Sequence, residues 1–393
     1  MALQPVPRSI KYKGTKRGQD RKRKLILMIL AIVVGVIIVA GVTVFLVLHF
    51  RQFKGYKVTS TIELTNSDQH IAYYPFLKGY VKVAGDGVTY FDKNGITWTE
   101  SYEMSQPIAD ICGSYIVVAD MKATDVYLFD ESGLLNRITL SHSIIDVEVS
   151  KQGVIAVATD EKESNYIEIV DKTGNELITA KSVFSSSGYL SDIALCDDGS
   201  KLVATFISAS AGYVESKVVF YDFSKSNAGE DMIVGGFNQY ESIILTNVQF
   251  MEDNKVSVVG NSGFSIYDFS STPQLIYEDL DFTWQIQSLF FDKKHIGLIV
   301  LDENIDNNYC IKVYNLKGKL EVDKGFDFAY NTAAFASSNV LLYASNDCEI
   351  YSFAGIKRFS YSFENRIAYM LSIGNEEKFI YAKADCTEFI KLK

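Results

Sequence analysis

Val126-Tyr127-Leu128-Phe129-Asp130-Glu131-Ser132-Gly133 is a run of β-branched and aromatic residues that leads into an Asp-x-x-Gly turn. The run favours an extended strand. The Asp side chain can bond within its own turn and the Gly can take a positive φ, so these two residues punctuate the strand. The pattern recurs at strand ends Asp92, Asp171, Asp222, Asp268 and Asn315, with weaker copies at Ala354 and near Leu392, at intervals of 38 to 51 residues. Asp-x-x-Gly itself returns at Asp92 to Gly95 and Asp171 to Gly174, with Asn315 to Gly318 as a variant. Each unit carries two earlier strands, for example 108–112 and 115–119, or 191–195 and 201–206 around the turn Asp197-Asp198-Gly199-Ser200. A period near 40 with several short strands per unit predicts a β-propeller.

First strands beginning near Ile71, Ile108, Ile144, Ser191, Ile244, Ile286, Asn331 and Ile367 give eight four-stranded blades; one miscounted weak unit would leave seven. The last unit stops after its third strand. Residues 56–64 have strand character and no unit of their own, so they are expected to supply the missing outer strand and close the ring, which removes free edges. The expected fold class is all-β, an eight-bladed propeller closed by its N-terminal strand, preceded by one transmembrane helix.

Leu25 to Leu48 is an uncharged, mostly apolar run, long enough at about 1.5 Å per residue to cross a hydrocarbon layer of roughly 30 Å. It ends in Leu-His-Phe-Arg-Gln-Phe instead of a small-residue cleavage site, which reads as an uncleaved anchor. Nine Lys and Arg precede it against Asp20 alone, while Arg51, Lys54 and Lys57 follow. The positive-inside rule then keeps 1–24 in the cytoplasm and exports 56–393 through the connector 49–55. Ala31 and Gly35 form a single small-xxx-small pair, too little to predict a dimer. The part beyond residue 57 has 26 Lys and Arg against 47 Asp and Glu, a net charge of −21, which excludes a nucleic-acid binder and favours cationic partners.

Strand direction alternates within a blade, so the a-to-b and c-to-d turns share one face, and the b-to-c and d-to-a loops share the other. The closing strand is entered from the c-to-d side, and a connector that spans at most about 25 Å keeps that face near the membrane. The b-to-c loops of the far face gather Asp86, Asp120, Asp125, Asp160, Glu161, Glu163, Glu215, Asp302, Glu303, Asp306, Asp347 and Asp385, opposed mainly by Lys122 and Lys162. The acids Asp120, Asp125, Asp160, Glu161, Glu163, Asp302, Glu303 and Asp306 are the candidate docking surface for a basic protein or a cationic envelope polymer; solvated loop tips are the plain alternative.

No catalytic, cofactor or metal set emerges. His49, His70, His142 and His295 have no repeated partner, and Ser262 lacks the second flanking Gly of an esterase elbow. The turn acids lack the alternating spacing of a calcium loop. Asp197 and Asp198 point apart as turn neighbours, whereas glycoside hydrolysis needs two opposed carboxyls. Cys112, Cys196, Cys310, Cys348 and Cys386 include no close pair, and the last three repeat at the start of a third strand, on the order of 10 Å apart on adjacent blades, beyond disulfide reach. They read as small hydrophobes, and Tyr73 and Tyr74 as core before sugar platforms. The expected function is a non-enzymatic binding or assembly module at the cell envelope. Its competitors are an enzyme acting on envelope glycans and a ligand sensor, the latter lacking room for an output domain in a 24-residue tail.

The Val-x-Tyr-Asp-x-x-Gly units resemble WD40-like and quinoprotein-like propellers, although the Trp-Asp signature is absent. The vicinal Cys pair and Trp-rich motifs of the quinone enzymes are absent too, with only Trp98 and Trp284 present. The layout of basic tail, single span and Tyr-rich acidic propeller resembles a family of unknown function, membrane-anchored in Gram-positive bacteria. That resemblance implies no activity and no functional residue.

Overall fold

The computed structural model describes residues 16–63, 71–210, 212–225, 232–301 and 308–393, and it separates into two compact units, 1–52 and 53–393. In the first unit the helix Lys16–His49 contains the stretch Arg23–Thr43, long and apolar enough to cross a membrane, with exposed aliphatic side chains from Leu25 to Val42. The helix begins nine residues before Leu25, because the Lys and Arg of the basic tail are good helix formers and no Pro interrupts them. Leu48 lies within it.

In the second unit the described residues form eight four-stranded antiparallel sheets. Blade 1 runs Ala72–Phe76, Gly79–Ala84, Gly87–Asp92 and Gly95–Ser101, and blade 2 runs Pro107–Cys112, Tyr115–Asp120, Asp125–Asp130 and Gly133–Thr139. Blades 3 to 7 repeat the plan, with first strands at Ser143–Val149, Tyr189–Leu195, Leu245–Phe250, Gln285–Phe291 and Thr332–Ala336. Blade 8 takes Tyr369–Ser372, Lys378–Ala382 and Cys386–Leu392 from the chain end and receives Tyr56–Glu63 as its outer strand, with Tyr56 opposite Leu392 and Glu63 opposite Cys386. The expected closure is therefore present.

The second strand of each blade reads as a near-continuous apolar run because both of its faces are covered, and the third strand is nearly as buried although it carries polar residues such as Glu168, Lys312 and Glu349. In Tyr115–Asp120, Val117 and Ala119 pack toward blade 3 while Ile116 and Val118 pack toward blade 1. This alternation produces eight apolar clusters among the described residues, one for each pair of neighbouring blades, the last joining Ile62, Ile380 and Phe389 of blade 8 to Tyr73, Tyr80 and Phe91 of blade 1. Each buried Phe or Tyr contributes about 1.5–3 kcal/mol relative to an exposed one. Tyr73 is core, stacked on Tyr369 with ring centroids 5.1 Å apart.

The Asp-x-x-Gly turns do the local work their composition requires. Asp92, Asp130 and Asp171 accept hydrogen bonds from the backbone N–H two residues on, at 2.7, 2.8 and 2.8 Å. Gly318 has φ +73°, and a Cβ there would stand 2.0 Å from the Tyr277 ring of the preceding blade, so the turn also lets adjacent outer strands approach. Trp98 ties another such turn, donating from Nε1 to the Glu131 carbonyl at 3.1 Å.

Candidate functional site

The acids expected on the b-to-c face separate into different roles. Asp160, Glu161 and Glu163 surround the hairpin between the second and third strands of blade 3, with Glu161 and Glu163 exposed and Lys162 3.2 Å from Glu161. Asp120 and Asp125 flank the corresponding loop of blade 2, but both are engaged. Asp120 accepts from the N–H of Ser105 and Gln106 at 3.1 and 2.7 Å, which pins the loop entering that blade. Thr139 and Arg137, each 2.7 Å away, hold the Asp125 carboxyl below its usual range. Glu215 lies inside the strand Tyr213–Asp222 of a hairpin longer than expected, and Asp347 opens the third strand of blade 7. Asp302, Glu303 and Asp306 lie outside the described residues.

His142 joins the blade 3 group, which the sequence alone did not suggest. Its Nδ1 is 3.0 Å from Glu168 Oε1 and its Nε2 3.8 Å from Glu161 Oε2, and its ring stacks on Tyr166 at 4.1 Å. Thr159 donates to the same Glu168 oxygen at 2.8 Å, so the buried carboxylate is satisfied from the second strand and from the residue that precedes the first. The result is a rigid acid–imidazole–acid row opening onto the exposed hairpin, a surface suited to hydrogen-bond donors and cations.

A second group lies on the first strands, which ring the axis. Asp110 accepts from the Val149 N–H of blade 3 at 2.9 Å, Asp146 from Ile193 of blade 4 at 3.3 Å, and Asp192 from Val248 of blade 5 at 2.7 Å. Three successive blades are thus stitched by one carboxylate each. In blades 3 to 6 a bulge precedes the equivalent residues Asp146, Asp192, Asn247 and Ser288. The carboxyls are half-buried with protein crowding nearly every side, and burial raises Asp110, Asp146 and Glu148 and takes Asp192 to about 8. Asp146 and Asp192 also hydrogen-bond each other, so the pair retains a proton near neutrality.

One end of this wall is tied across several blades. Asp197 receives Lys151 at 2.6 Å, Lys293 at 3.3 Å and the Cys112 thiol at 3.6 Å. Burial opposes its charge, but the two lysines hold its carboxyl below the usual range. Asp198 turns away to Ser200 and Cys196, as neighbouring turn residues must. All five cysteines are free thiols, and burial pushes Cys112 and Cys310 up to about 12, which suppresses the thiolate. Among the described residues no group of three or more His, Cys, Asp or Glu has the geometry to hold a metal ion.

Solved structures resemble the fold at low identity. They include Raptor of Chaetomium thermophilum (10% identity, TM-score 0.49, covering 87% of this chain and 29% of that one) and Hsv2 of Kluyveromyces lactis (10%, 0.47, 79% and 98%). The Pan2 WD40 domain of Neurospora crassa is a third (11%, 0.43, 72% and 87%). Curated proteins give no match. The model of a family of unknown function, DUF5711, matches residues 49–392, and the chain belongs to that family.

Proposed function

We propose that this protein is a single-pass membrane protein, N-terminus in the cytoplasm, whose extracytoplasmic propeller serves as a non-enzymatic binding or assembly module at the cell envelope. The observation that carries the reading is the blade 3 hairpin, where exposed Glu161 and Glu163 stand beside Asp160 and the His142–Glu168 row on a closed, rigid ring. A fixed acidic surface recognises basic protein segments or cationic polymers with little ordering cost. The apolar helix and the charge bias before it support the topology.

Glycan hydrolysis needs two carboxyls opposed across a substrate cavity. Asp110, Asp146 and Asp192 stand instead on consecutive blades, each committed to a backbone amide of the next. Crosslinking in native membranes followed by mass spectrometry tests the binding role. A specific partner should be recovered with the native chain and lost after Asp160→Asn, Glu161→Gln and Glu163→Gln together. Absence of a partner, or one indifferent to these changes, removes the docking role.

A further inference from the structure

The outer strands carry a polarity gradient that repeats from blade to blade. Exposed aliphatic residues stand at their starts, beside the c-to-d turns: Ile96, Leu134, Leu177, Leu275, Leu320 and, on the closing strand, Val58. Further along the same strands most exposed positions turn polar, with Thr97 and Thr99 after Ile96, Arg137 and Thr139 after Leu134, and Thr179 and Lys181 after Leu177, exposed Val183 at the end of that strand being an exception. All of these positions face water on an outermost strand, so strand propensity alone does not explain why most of the aliphatic ones gather at one end. They form a broken apolar rim around a single face of the ring.

The same face carries a basic groove of about 530 Å³ between blades 8 and 1. Lys78, Lys93, Lys378 and Lys391 line it together with exposed Leu77, and no carboxylate takes part in the lining. Lys391 pairs with Glu377 at 3.2 Å, whereas among the described residues no acid pairs with Lys78, Lys93 or Lys378. The chain also joins the ring here: Phe53 N–H donates to the Arg358 carbonyl at 2.7 Å, and Lys54 and Gly55 donate to the carbonyl of Lys393 at 2.9 and 3.2 Å. In sequence, only residues 50–52 separate Phe53 from the apolar helix.

We infer that this face is a bilayer-contact surface, its aliphatic rim seated at the headgroup boundary and its lysine groove taking the phosphate of an anionic phospholipid. Aliphatic side chains beside cations suit an interface that is apolar beneath and negatively charged at its surface. The inference rests on the membrane reading above, which sets the c-to-d face toward the bilayer, and adds direct lipid contact through the rim and the lysine groove.

The test uses the full chain in nanodiscs of phosphatidylcholine, with and without phosphatidylglycerol, each doped with a lipid bearing a photoreactive diazirine near its headgroup. Peptides holding Ile96, Leu134, Leu177, Leu275 and Leu320 should be labelled, and the hairpin at 160–163 should not. Lys78→Glu, Lys93→Glu and Lys378→Glu should each weaken rim labelling about fivefold in the anionic discs. Protease resistance of each variant reports that the ring is intact. Labelling within 25–48 but not on the rim overturns the lipid-facing surface alone, as does equal labelling of both faces or labelling indifferent to the lysines. Absence of labelling in 25–48 overturns the membrane reading as well.

Discussion

The innermost and outermost strands of this ring invert the usual distribution of polarity. At the axis, where packing is close, stand Asp110, Asp146, Glu148 and Asp192; at the periphery, where water is free, stand Ile96, Leu134, Leu177 and Leu275. Between them the second and third strands of each blade are largely buried on both faces, and they supply much of the clusters that hold blade to blade. Cohesion therefore rests mainly on the middle strands, to which the first strands add apolar residues such as Val147 and Ile193 and the stitching carboxylates. The two edge strands are free to carry groups chosen for what they face.

The largest test of this division is the closing strand, an edge strand that nonetheless buries Ile62 and lays Tyr56 against Phe363. Excising 56–63 leaves the blade 8 strand Cys386–Leu392 unpaired on its outer side, and should cost most of the roughly 5–15 kcal/mol that holds such a domain folded. Limited proteolysis of the full chain should then digest the ring, whereas exchanging the helix for a cleavable signal should leave it resistant. In the middle strands, Phe220→Ala at the junction of blades 4 and 5 should cost about 3–5 kcal/mol in denaturant titration, since Phe220 packs on Tyr267 and Phe269.

The axial acids should give a smaller and pH-dependent effect. Asp192→Ala leaves the Val248 N–H without its acceptor and should cost about 1–3 kcal/mol, while Asp192→Asn keeps an acceptor and costs less. Because burial raises the folded pKa of Asp192 to about 8 from 3.8, the native state binds the proton more tightly than the unfolded chain. Its contribution is fully present below pH 3.8 and is lost as pH rises through about 8. Melting temperature should fall across that window in the native chain and fall less in Asp192→Asn. Asp268 runs the other way: Lys255 and Ser270 lower it to about 2, so its contribution is lost only as pH falls toward 2. The smallest effect belongs to the rim, where Leu177→Thr and Ile96→Thr should change stability by no more than about 0.5 kcal/mol in the same titration.

The ring itself is legible in the repeat, because the strand-then-Asp pattern marks a turn whose geometry the Asp and Gly supply locally. Blade number and closure follow from counting those turns. The axial acids are harder to find. Ala109-Asp110-Ile111, Ile145-Asp146-Val147 and Ser191-Asp192-Ile193 each set an acid inside a first strand, and that recurrence is a usable signal. Yet Asp146 and Asp192 follow a bulge and Asp110 does not, a difference in register that no local residue announces. His142 and Glu168 meet across 26 residues of chain by pairing of strands. Asp120 looks like free surface charge until the loop it fastens is seen, and Asp125 until Arg137 and Thr139 of the neighbouring strand are.

The closing blade also sets the order in which this protein can be built. Tyr56 and its partner Leu392 stand 336 positions apart in the chain. A nascent chain therefore carries an unsatisfied strand edge until residues 386–392 have been made, and closure of the ring must wait for them. Such a long-range pairing is slow to form and exposes the chain to mispairing meanwhile. Loss of residues 386–392 should leave an open ring as the end product.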